Sequence, residues 1–440
     1  MARNLTAPFR PIRYGSSSAP APVPLPRHSV CAKERRRPTR NPPPFQWTKC
    51  TSPTNCSTIN GEVVLDANWR WVHDDRYRTC VEQNQDGTQW WNPSVCDLGD
   101  ERPGTTNNCT SKCLLDGAGD YRRTYGITAA NNTLTQKLIT RLDFATNVGS
   151  RLFLLESKNR YQTFTLLGNE LSFDVDLSTV ECGINSALYF AAMDADGGVE
   201  RHKPYNQAGA EYGTGYCDGW CQNNQRFVGG RAATNKHDAG WQEWQSDGAC
   251  CPEFAVCVRD TVVNIIRIEW ARRSFMGRES WLILRKTLRE LLVLVVTRWE
   301  EDRQYQFFIQ DGKRIDVPTP VWDGLPKQNG LSEEMCAVQA EVFSERDSWA
   351  EHRGWETHRR QVLNRPMVLV TSIDAADFYM WNTWLDSSIH NDTCEGCAGV
   401  ERGPCPREDN EPWIVQANGG RAKVVWSNIR FGPIGSTVEV

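Results

Sequence analysis

The chain has 440 residues, with 50 Lys and Arg against 54 Asp and Glu, so its formal net charge is -4. This length suffices for one large domain or two modest ones. The balanced charge gives no reason to expect a nucleic-acid partner. No apolar run of about 18 residues or more predicts a membrane span.

The N-terminal residues 1–44 differ in composition from the rest. They are rich in Pro, Ser and Arg, and Glu34 is their only acid. Such a segment cannot bury a core, so we expect it to be disordered. It lacks the apolar stretch of a signal peptide. An organelle transit peptide and a wrongly joined first exon are both compatible with it.

From residue 45 to residue 440 we predict one folded domain made of short strands. Runs rich in Val, Leu, Phe and Thr alternate with Gly, Asn and Asp turns. Within 170–176 the alternation puts Leu171, Phe173 and Val175 on one face. The predicted strands are 62–66, 151–155, 163–167, 170–176, 187–193, 303–309, 367–373 and 423–431. Many strands and few helices indicate an all-β sandwich.

Two segments diverge from this texture. Residues 258–292 are rich in Arg, and 279–294 taken alone favours a helix. Residues 345–365 are charged and carry Trp, His and Arg.

Cysteine usage indicates the compartment. The chain has 17 Cys, several in close pairs. Zinc is the alternative to disulfides, but Cys394 and Cys397 have no obvious second pair of ligands. Disulfides are favoured, and they predict an oxidising, extracellular setting. Three Asn-x-Thr triplets agree with secretion, and they begin at Asn108, Asn131 and Asn391.

The stretch Cys250-Cys251-Pro252-Glu253 carries the chemistry. Cleavage of a glycosidic bond needs two carboxylates, about 5–5.5 Å apart when configuration is retained. On a strand, Glu-x-Asp-x-x-Glu puts the first two acids on one face, and a bulge must re-aim the third. The 18 Trp fit either core packing or a groove in which rings cover sugar faces.

Several stretches together resemble the glycoside hydrolase family 7 cellulases, in that family's order. They are residues 66–71, 167–176, 187–198, 212–221, 384–387 and 427–437. The resemblance implies a concanavalin-like β-jelly-roll of two curved antiparallel sheets, with a cleft that holds cellulose or a cello-oligosaccharide. It also implies retaining hydrolysis, a secreted monomer, and no metal, cofactor or membrane partner.

The catalytic strand departs from the family pattern. Glu253 matches the nucleophile, but Ala255 stands where an assisting Asp is expected and Val258 where the acid/base is expected. Neither side chain can transfer a proton. The resemblance stops after Val256 and resumes near Val295, which fits either an error in the gene model or a divergent paralogue.

The resemblance also implies substrate-binding positions and disulfides. A core role is the alternative for Tyr189 and Tyr216. The implied substrate-binding residues are Trp69, Trp71, Asn185, Tyr189, Tyr216, Asp218, Trp384 and Arg402. The implied bridges are Cys50–Cys56, Cys80–Cys113, Cys96–Cys109, Cys182–Cys405, Cys217–Cys251 and Cys221–Cys250. No pairing follows for Cys31, Cys257, Cys336, Cys394 and Cys397.

Three functions remain open from the sequence. The first is a β-1,4-glucan hydrolase. The second is a non-catalytic glucan-binding protein on the same fold, and the third is a disulfide-rich surface protein that only shares that fold. Turnover of a soluble substrate separates the first from the others, and binding of cello-oligosaccharides separates the second from the third.

Overall fold

A computed structural model describes twelve segments of the chain. They are residues 42–83, 89–97, 108–143, 145–219, 221, 225–233, 249–260, 292–317, 319–320, 323–342, 354–375 and 411–439. Of the segment expected to be disordered, 1–44, only residues 42–44 belong to this set.

The described residues are mostly β-strands with a few short helices. The strands are β1 (Pro44–Ser52), β2 (Asn55–Leu65), β3 (Val72–His73), β4 (Val81–Gln83), β5 (Gln89–Trp91), β6 (Leu114–Leu115), β7 (Ile127–Ala130), β8 (Thr133–Lys137), β9 (Ile139–Arg141), β10 (Thr146–Val148), β11 (Ser150–Ser157), β12 (Arg160–Tyr161), β13 (Thr163–Phe164), β14 (Asn169–Asp176), β15 (Ile184–Ala191), β16 (Phe227–Val228), β17 (Arg231–Ala232), β18 (Glu253–Asp260), β19 (Leu292–Trp299), β20 (Arg303–Gln310), β21 (Lys313–Asp316), β22 (Leu331–Ser332), β23 (Met367–Ala375) and β24 (Lys423–Pro433). The helices are α1 (Cys109–Lys112), α2 (Tyr121–Tyr125), α3 (Glu333–Val342), α4 (Gly354–His358) and α5 (Pro412–Asn418), with shorter turns at Ala67–Trp69, Ala210–Tyr212, Arg359–Leu363 and Gly419–Arg421. None of these helices is long and apolar enough to cross a membrane.

The long strands form one hydrogen-bonded path that folds over on itself. Its order is β18-β15-β23-β11-β2-β1-β24-β14-β19-β20-β21. Phe190 of β15 and Trp299 of β19 are far apart in this order, yet their ring centroids lie 5.8 Å apart. Both belong to one hydrophobic core, which also includes Leu171, Phe173 and Val175. The two halves of the path therefore pack face to face, and the predicted all-β jelly-roll sandwich is confirmed.

Seven of the eight predicted strands lie mostly within observed strands, although 62–66 covers only the C-terminal part of β2 (Asn55–Leu65). The exception is 163–167, which is a strand only over Thr163–Phe164. The reason is that the N–H groups of Leu166 and Leu167 both donate to the carbonyl of Leu363, at 3.0 and 2.9 Å, instead of continuing a ladder.

The helix predicted over 279–294 is wrong at its C-terminal end. Residues 292–294 open strand β19, which lies between β14 and β20. A run of Val and Leu packs well on a pleated surface between two strands, and this outweighs the helical preference of an isolated peptide. Residues 279–291 lie outside the described set.

Five of the six implied disulfides are present in the structure. They are Cys50–Cys56, Cys80–Cys113, Cys96–Cys109, Cys217–Cys251 and Cys221–Cys250. The sixth involves Cys405, which lies outside the described residues. The sulfurs of Cys80, Cys96 and Cys113 lie within 4.8 Å of one another. Two neighbouring disulfides account for that proximity.

Candidate active site

Strand β18 carries Glu253 and pairs antiparallel with β15. Positions 253, 255 and 258 lie opposite Ala191, Tyr189 and Ala187 respectively. These three residues of β15 alternate, so they share one face of the sheet. The register therefore assigns all three positions of the Glu-x-Asp-x-x-Glu pattern to a single face.

A β-bulge makes this assignment possible. Tyr189 pairs with residue 255 but Leu188 pairs with residue 257, so Val256 is the extra residue. Without it, positions 255 and 258 would alternate to opposite faces. The strand also keeps its pairing as far as Asp260. The resemblance that stops at Val256 thus does not mark an end of the strand.

The loop that follows β15, residues 192–219, covers this face of the strand. It is fixed by a close approach of two parts of its own backbone. Gly215 has φ +81°, and a Cβ there would lie 2.4 Å from the carbonyl oxygen of Gly197. Only glycine fits that position. The side chains of Asn206 and Thr214 donate to the same carbonyl, at 2.7 and 3.0 Å. The loop is therefore held against the sheet at its centre.

Two disulfides join this loop to the beginning of β18. Cys217 bonds to Cys251 and Cys221 bonds to Cys250. Between them, the N–H of Cys251 donates to the carbonyl of Asp218 at 3.0 Å. Asp218 is thereby held beside the segment that leads into Glu253.

The buried polar groups at this face form a chain of hydrogen bonds. The hydroxyls of Tyr189 and Tyr216 lie 2.8 Å apart, and the Tyr216 hydroxyl donates to Asp218 Oδ2 at 2.9 Å. Burial is the main cause that raises the pKa of both tyrosines, and the charge of Glu253 adds to the effect. Both tyrosines are therefore neutral hydrogen-bond donors at ordinary pH.

Glu253 itself is half-buried, next to these hydrogen-bonded residues. Its Oε2 accepts a hydrogen bond of 3.3 Å from the backbone N–H of Gly219. The loop that carries Tyr216 and Asp218 therefore also orients the carboxylate.

Arg151 is a site residue that the sequence reading missed. It is 5% exposed and forms an ion pair of 2.7 Å with Asp66, which is also buried. Its guanidinium carbon lies 3.3 Å from the ring centroid of Tyr216 and 5.4 Å from that of Trp69. Burial alone would lower the pKa of Arg151, but the neighbouring Tyr216 and Asp66 raise it, so the cation is permanent. The available signal was an Arg at the start of the predicted strand 151–155.

Trp69 and Trp71, implied as sugar platforms, are both half-buried. The indole N–H of Trp69 donates to the carbonyl of Val148 at 3.0 Å, and one part of the ring packs against the main core. Trp71 lies against His73, with ring centroids 4.4 Å apart, and donates to the Thr79 hydroxyl at 3.2 Å. Each indole is thus fixed in position, with part of its surface accessible.

Asn185 lies on the same strand as Tyr189, and it pairs with Asp374 of the neighbouring strand β23. Its Oδ1 is buried and accepts no hydrogen bond from any described residue. Trp384 and Arg402, the other two implied binding residues, lie outside the described residues.

A cavity of about 240 Å³ lies beside residues 249–251, which lead into β18. Asp66, Asn68, Tyr216 and Arg226 are among its lining residues. The backbone N–H of Arg226 donates to Asn68 Oδ1 at 3.0 Å, and burial lowers the pKa of its guanidinium to about 10. Tyr216 and Asp66 supply polar groups to a lining that also has apolar surface, a combination suited to a sugar, which has both hydroxyls and apolar faces.

Comparisons with known proteins identify the family of the chain. The model of glycosyl hydrolase family 7 matches residues 35–266 and 286–438. The unmatched interior segment, 267–285, lies inside the divergent segment 258–292. The chain therefore belongs to glycosyl hydrolase family 7, a family of glycosidases.

Solved structures resemble it over nearly their whole length. The cellobiohydrolase of Melanocarpus albomyces, complexed with cellotetraose, is 38% identical with a TM-score of 0.75, covering 92% of this chain and 99% of that one. A family 7 cellobiohydrolase from Daphnia pulex is 30% identical with the same TM-score and coverage. The Humicola insolens endocellulase EGI, as a double mutant, is 25% identical with a TM-score of 0.66, covering 91% and 98%.

Proposed function

We propose that this chain binds β-1,4-glucan along the face of β15 and β18, with Glu253 as a nucleophile of the retaining type. The observation that carries the proposal is the constellation of Glu253, Tyr189, Tyr216 and Asp218 on one face of a family 7 sandwich. Relatives of this fold were solved with cellotetraose and with cellobiose, which supports a glucan as the ligand.

The same residues predict weak hydrolysis of cellulose. Glu253 can attack an anomeric carbon, but a sugar leaving group needs a proton. The side chain at position 258 is Val and the one at 255 is Ala, so neither supplies it. Loss of general acid/base help costs about 10²–10⁴ in rate. The second step, attack by water, lacks a base for the same reason.

Each group around Glu253 has a role in this proposal. Tyr189 donates to the Tyr216 hydroxyl and Tyr216 donates to Asp218, so these neutral hydroxyls keep lone pairs that can accept from sugar hydroxyls. Asp218 accepts from Tyr216 and fixes that hydroxyl. The Arg151 guanidinium stacks on the face of the Tyr216 ring and fixes its position.

A second candidate is a glucan-binding protein without catalysis. The residues Ala255 and Val258 favour it. Both candidates use the same groove, which we define as the face of β15 and β18 together with Trp69 and Trp71. Binding alone therefore does not separate them. For either one, the disulfides and the family support secretion, and we propose a secreted monomer.

The deciding experiment is turnover by the purified 440-residue chain on cellulose and on an aryl cellobioside. An activated aryl group leaves without protonation, so we expect a burst of released phenol with the aryl glycoside and hardly any sugar from cellulose. Glu253→Gln is the control that should abolish the burst. Ordinary cellulase rates on cellulose would show that another carboxylate acts as the acid/base.

No burst together with binding of cellohexaose supports the non-catalytic candidate. If the chain shows no burst and does not bind cellohexaose, both candidates are overturned. The remaining possibility is then a surface protein that shares only the fold.

A further inference from the structure

The turn between β7 and β8 presents an asparagine in a setting unlike that of the other described Asn-x-Thr triplet. Asn131 and Asn132 form this two-residue turn, flanked by the pair Ala130 and Thr133. Asn131 has φ +54°, a left-handed conformation that Asn tolerates better than most residues.

The backbone of this turn is firmly held. The carbonyl of Asn131 accepts from the N–H of Gln46 at 2.8 Å, and the carbonyl of Asn132 accepts from the N–H of Asn428 at 3.3 Å. The side-chain amide of Asn132 donates to Asn428 Oδ1. The neighbours of Asn131 therefore fix the turn, and no part of that task falls on the Asn131 side chain.

The Asn131 side chain is exposed, and among the described residues it makes no hydrogen bond. Its Nδ2 is thus open to solvent at the tip of a rigid hairpin. A large group attached there would displace no contact of the folded protein.

Asn108 is the contrast. Its Oδ1 accepts from the N–H of Asp97 at 2.8 Å, and it directly precedes Cys109, which is buried and bonded to Cys96. The third residue of that triplet, Thr110, accepts from the N–H of Ala232 at 3.0 Å. A bulky group on Asn108 would disturb these contacts of the triplet with Asp97 and Ala232, because Asn108 is itself half-buried. Asn391 lies outside the described residues.

We propose that Asn131 carries an N-linked oligosaccharide in the secreted protein, whereas Asn108 does not. The inference rests on the proposed secretion and not on the proposed chemistry of Glu253. In the transfer, Nδ2 of Asn131 forms a bond to the anomeric carbon of a lipid-pyrophosphate-linked oligosaccharide. The bond from that carbon to the pyrophosphate oxygen breaks, the pyrophosphate keeps the electron pair, and the amide loses one proton.

The glycan would lie away from the active site. The turn that carries Asn131 contacts Gln46 of β1 and Asn428 of β24, and in the described sheet neither strand pairs with β15 or β18. Asn131 is also absent from the lining of the cavity beside Tyr216. Glycan removal should therefore leave glucan binding unchanged while it lowers solubility and resistance to proteases.

The test is secretion of the full chain from yeast behind a heterologous leader, followed by intact mass and glycopeptide mapping before and after an endoglycosidase. The Asn131 peptide should carry a glycan and the Asn108 peptide none. Asn131→Gln and Thr133→Ala should each lower the number of glycans by one. Thr133→Ser, which keeps the acceptor triplet, should leave that number unchanged.

An unmodified Asn131 peptide in the secreted wild-type chain would overturn the proposal, and so would a glycan on Asn108. Because the leader is supplied, these outcomes are independent of the activity of Glu253. Peptide mapping of the wild-type chain also decides the matter if a variant fails to fold.

Discussion

Arg151 and Asp66 form a buried ion pair between Tyr216 and Trp69. The Arg151 side chain is 6% exposed and that of Asp66 is 3% exposed, and Nε and Oδ2 lie 2.7 Å apart. The same guanidinium lies under Tyr216 and near Trp69. Asp66 also accepts from the N–H of Asn68, inside the turn Ala67–Trp69. One pair of charges thus contacts both Tyr216 and the turn that carries Trp69.

Removal of one partner should therefore be costly. Arg151→Met leaves Asp66 charged and buried, and we expect the free energy of unfolding to fall by about 3–5 kcal/mol. Urea denaturation followed by Trp fluorescence measures this. The matched control is Arg160→Met, which breaks the exposed pair with Glu156 and should cost under about 1 kcal/mol. Equal losses in the two variants would contradict a buried, structural role for Arg151.

Loss of the Tyr216 hydroxyl should slow the first chemical step. Tyr216→Phe breaks the chain from Tyr189 to Asp218 and leaves two buried polar groups with one partner fewer. A hydrogen bond to a charged group is typically worth about 1.5–3 kcal/mol, so we expect the aryl cellobioside burst to slow by about 10- to 100-fold. Stopped-flow absorbance measures the burst. Tyr305→Phe, which alters β20 and not this face, should leave it unchanged.

His358 should make stability depend on pH. Burial lowers the pKa of His358 to about 4, against an ordinary value near 6.5, in a site formed with Gln304, Trp355 and Phe254. The unfolded chain therefore binds a proton below pH 6.5 that the folded chain does not bind until about pH 4. Stability should fall as pH drops through this window, by about 3 kcal/mol in all.

Urea unfolding at pH 7.5, 5.5 and 4 measures the effect. His358→Gln should reduce the fall in stability between pH 7.5 and pH 4, whereas Arg360→Gln, an exposed change nearby, should retain it. The idea fails if His358→Gln and the wild type lose the same free energy over this range.

The aromatic end of the groove should contribute to binding. Stacking one ring on a sugar face gives about 1 kcal/mol beyond area burial, by analogy with aromatic pairs. Trp69→Ala with Trp71→Ala should therefore weaken cellohexaose binding at least tenfold in calorimetry. Trp413→Ala is the control, since Trp413 is 57% exposed on α5 and outside the groove. Equal affinities of the double variant and the wild type would remove Trp69 and Trp71 from the site.

Much of the fold was predictable because its strands alternate or are uniformly apolar. Residues 170–176 and 187–193 illustrate the two patterns, and both lie in long strands next to the core. The family resemblance also predicted that Glu253, Tyr189, Tyr216 and Asp218 lie near one another. In the structure, two disulfides join the loop that carries Tyr216 and Asp218 to the segment that leads into Glu253.

The remainder depended on contacts that no local pattern encodes. Arg151 reads as the charged end of a strand, and only the arrival of Asp66 from a distant turn makes it a buried pair. Likewise, the segment 292–294 reads as helical until β14 and β20 provide partners on both sides. Both cases are decided by neighbours far away in sequence.

The bulge at Val256 bears on whether the lost chemistry can be recovered. Because the extra residue is still in place, positions 255 and 258 remain in register with Tyr189 and Ala187, as a carboxylate at either position would require. The strand also pairs beyond Cys257, as far as Asp260. On the proposed function, Ala255→Asp with Val258→Glu therefore requires no change in the pairing of β18.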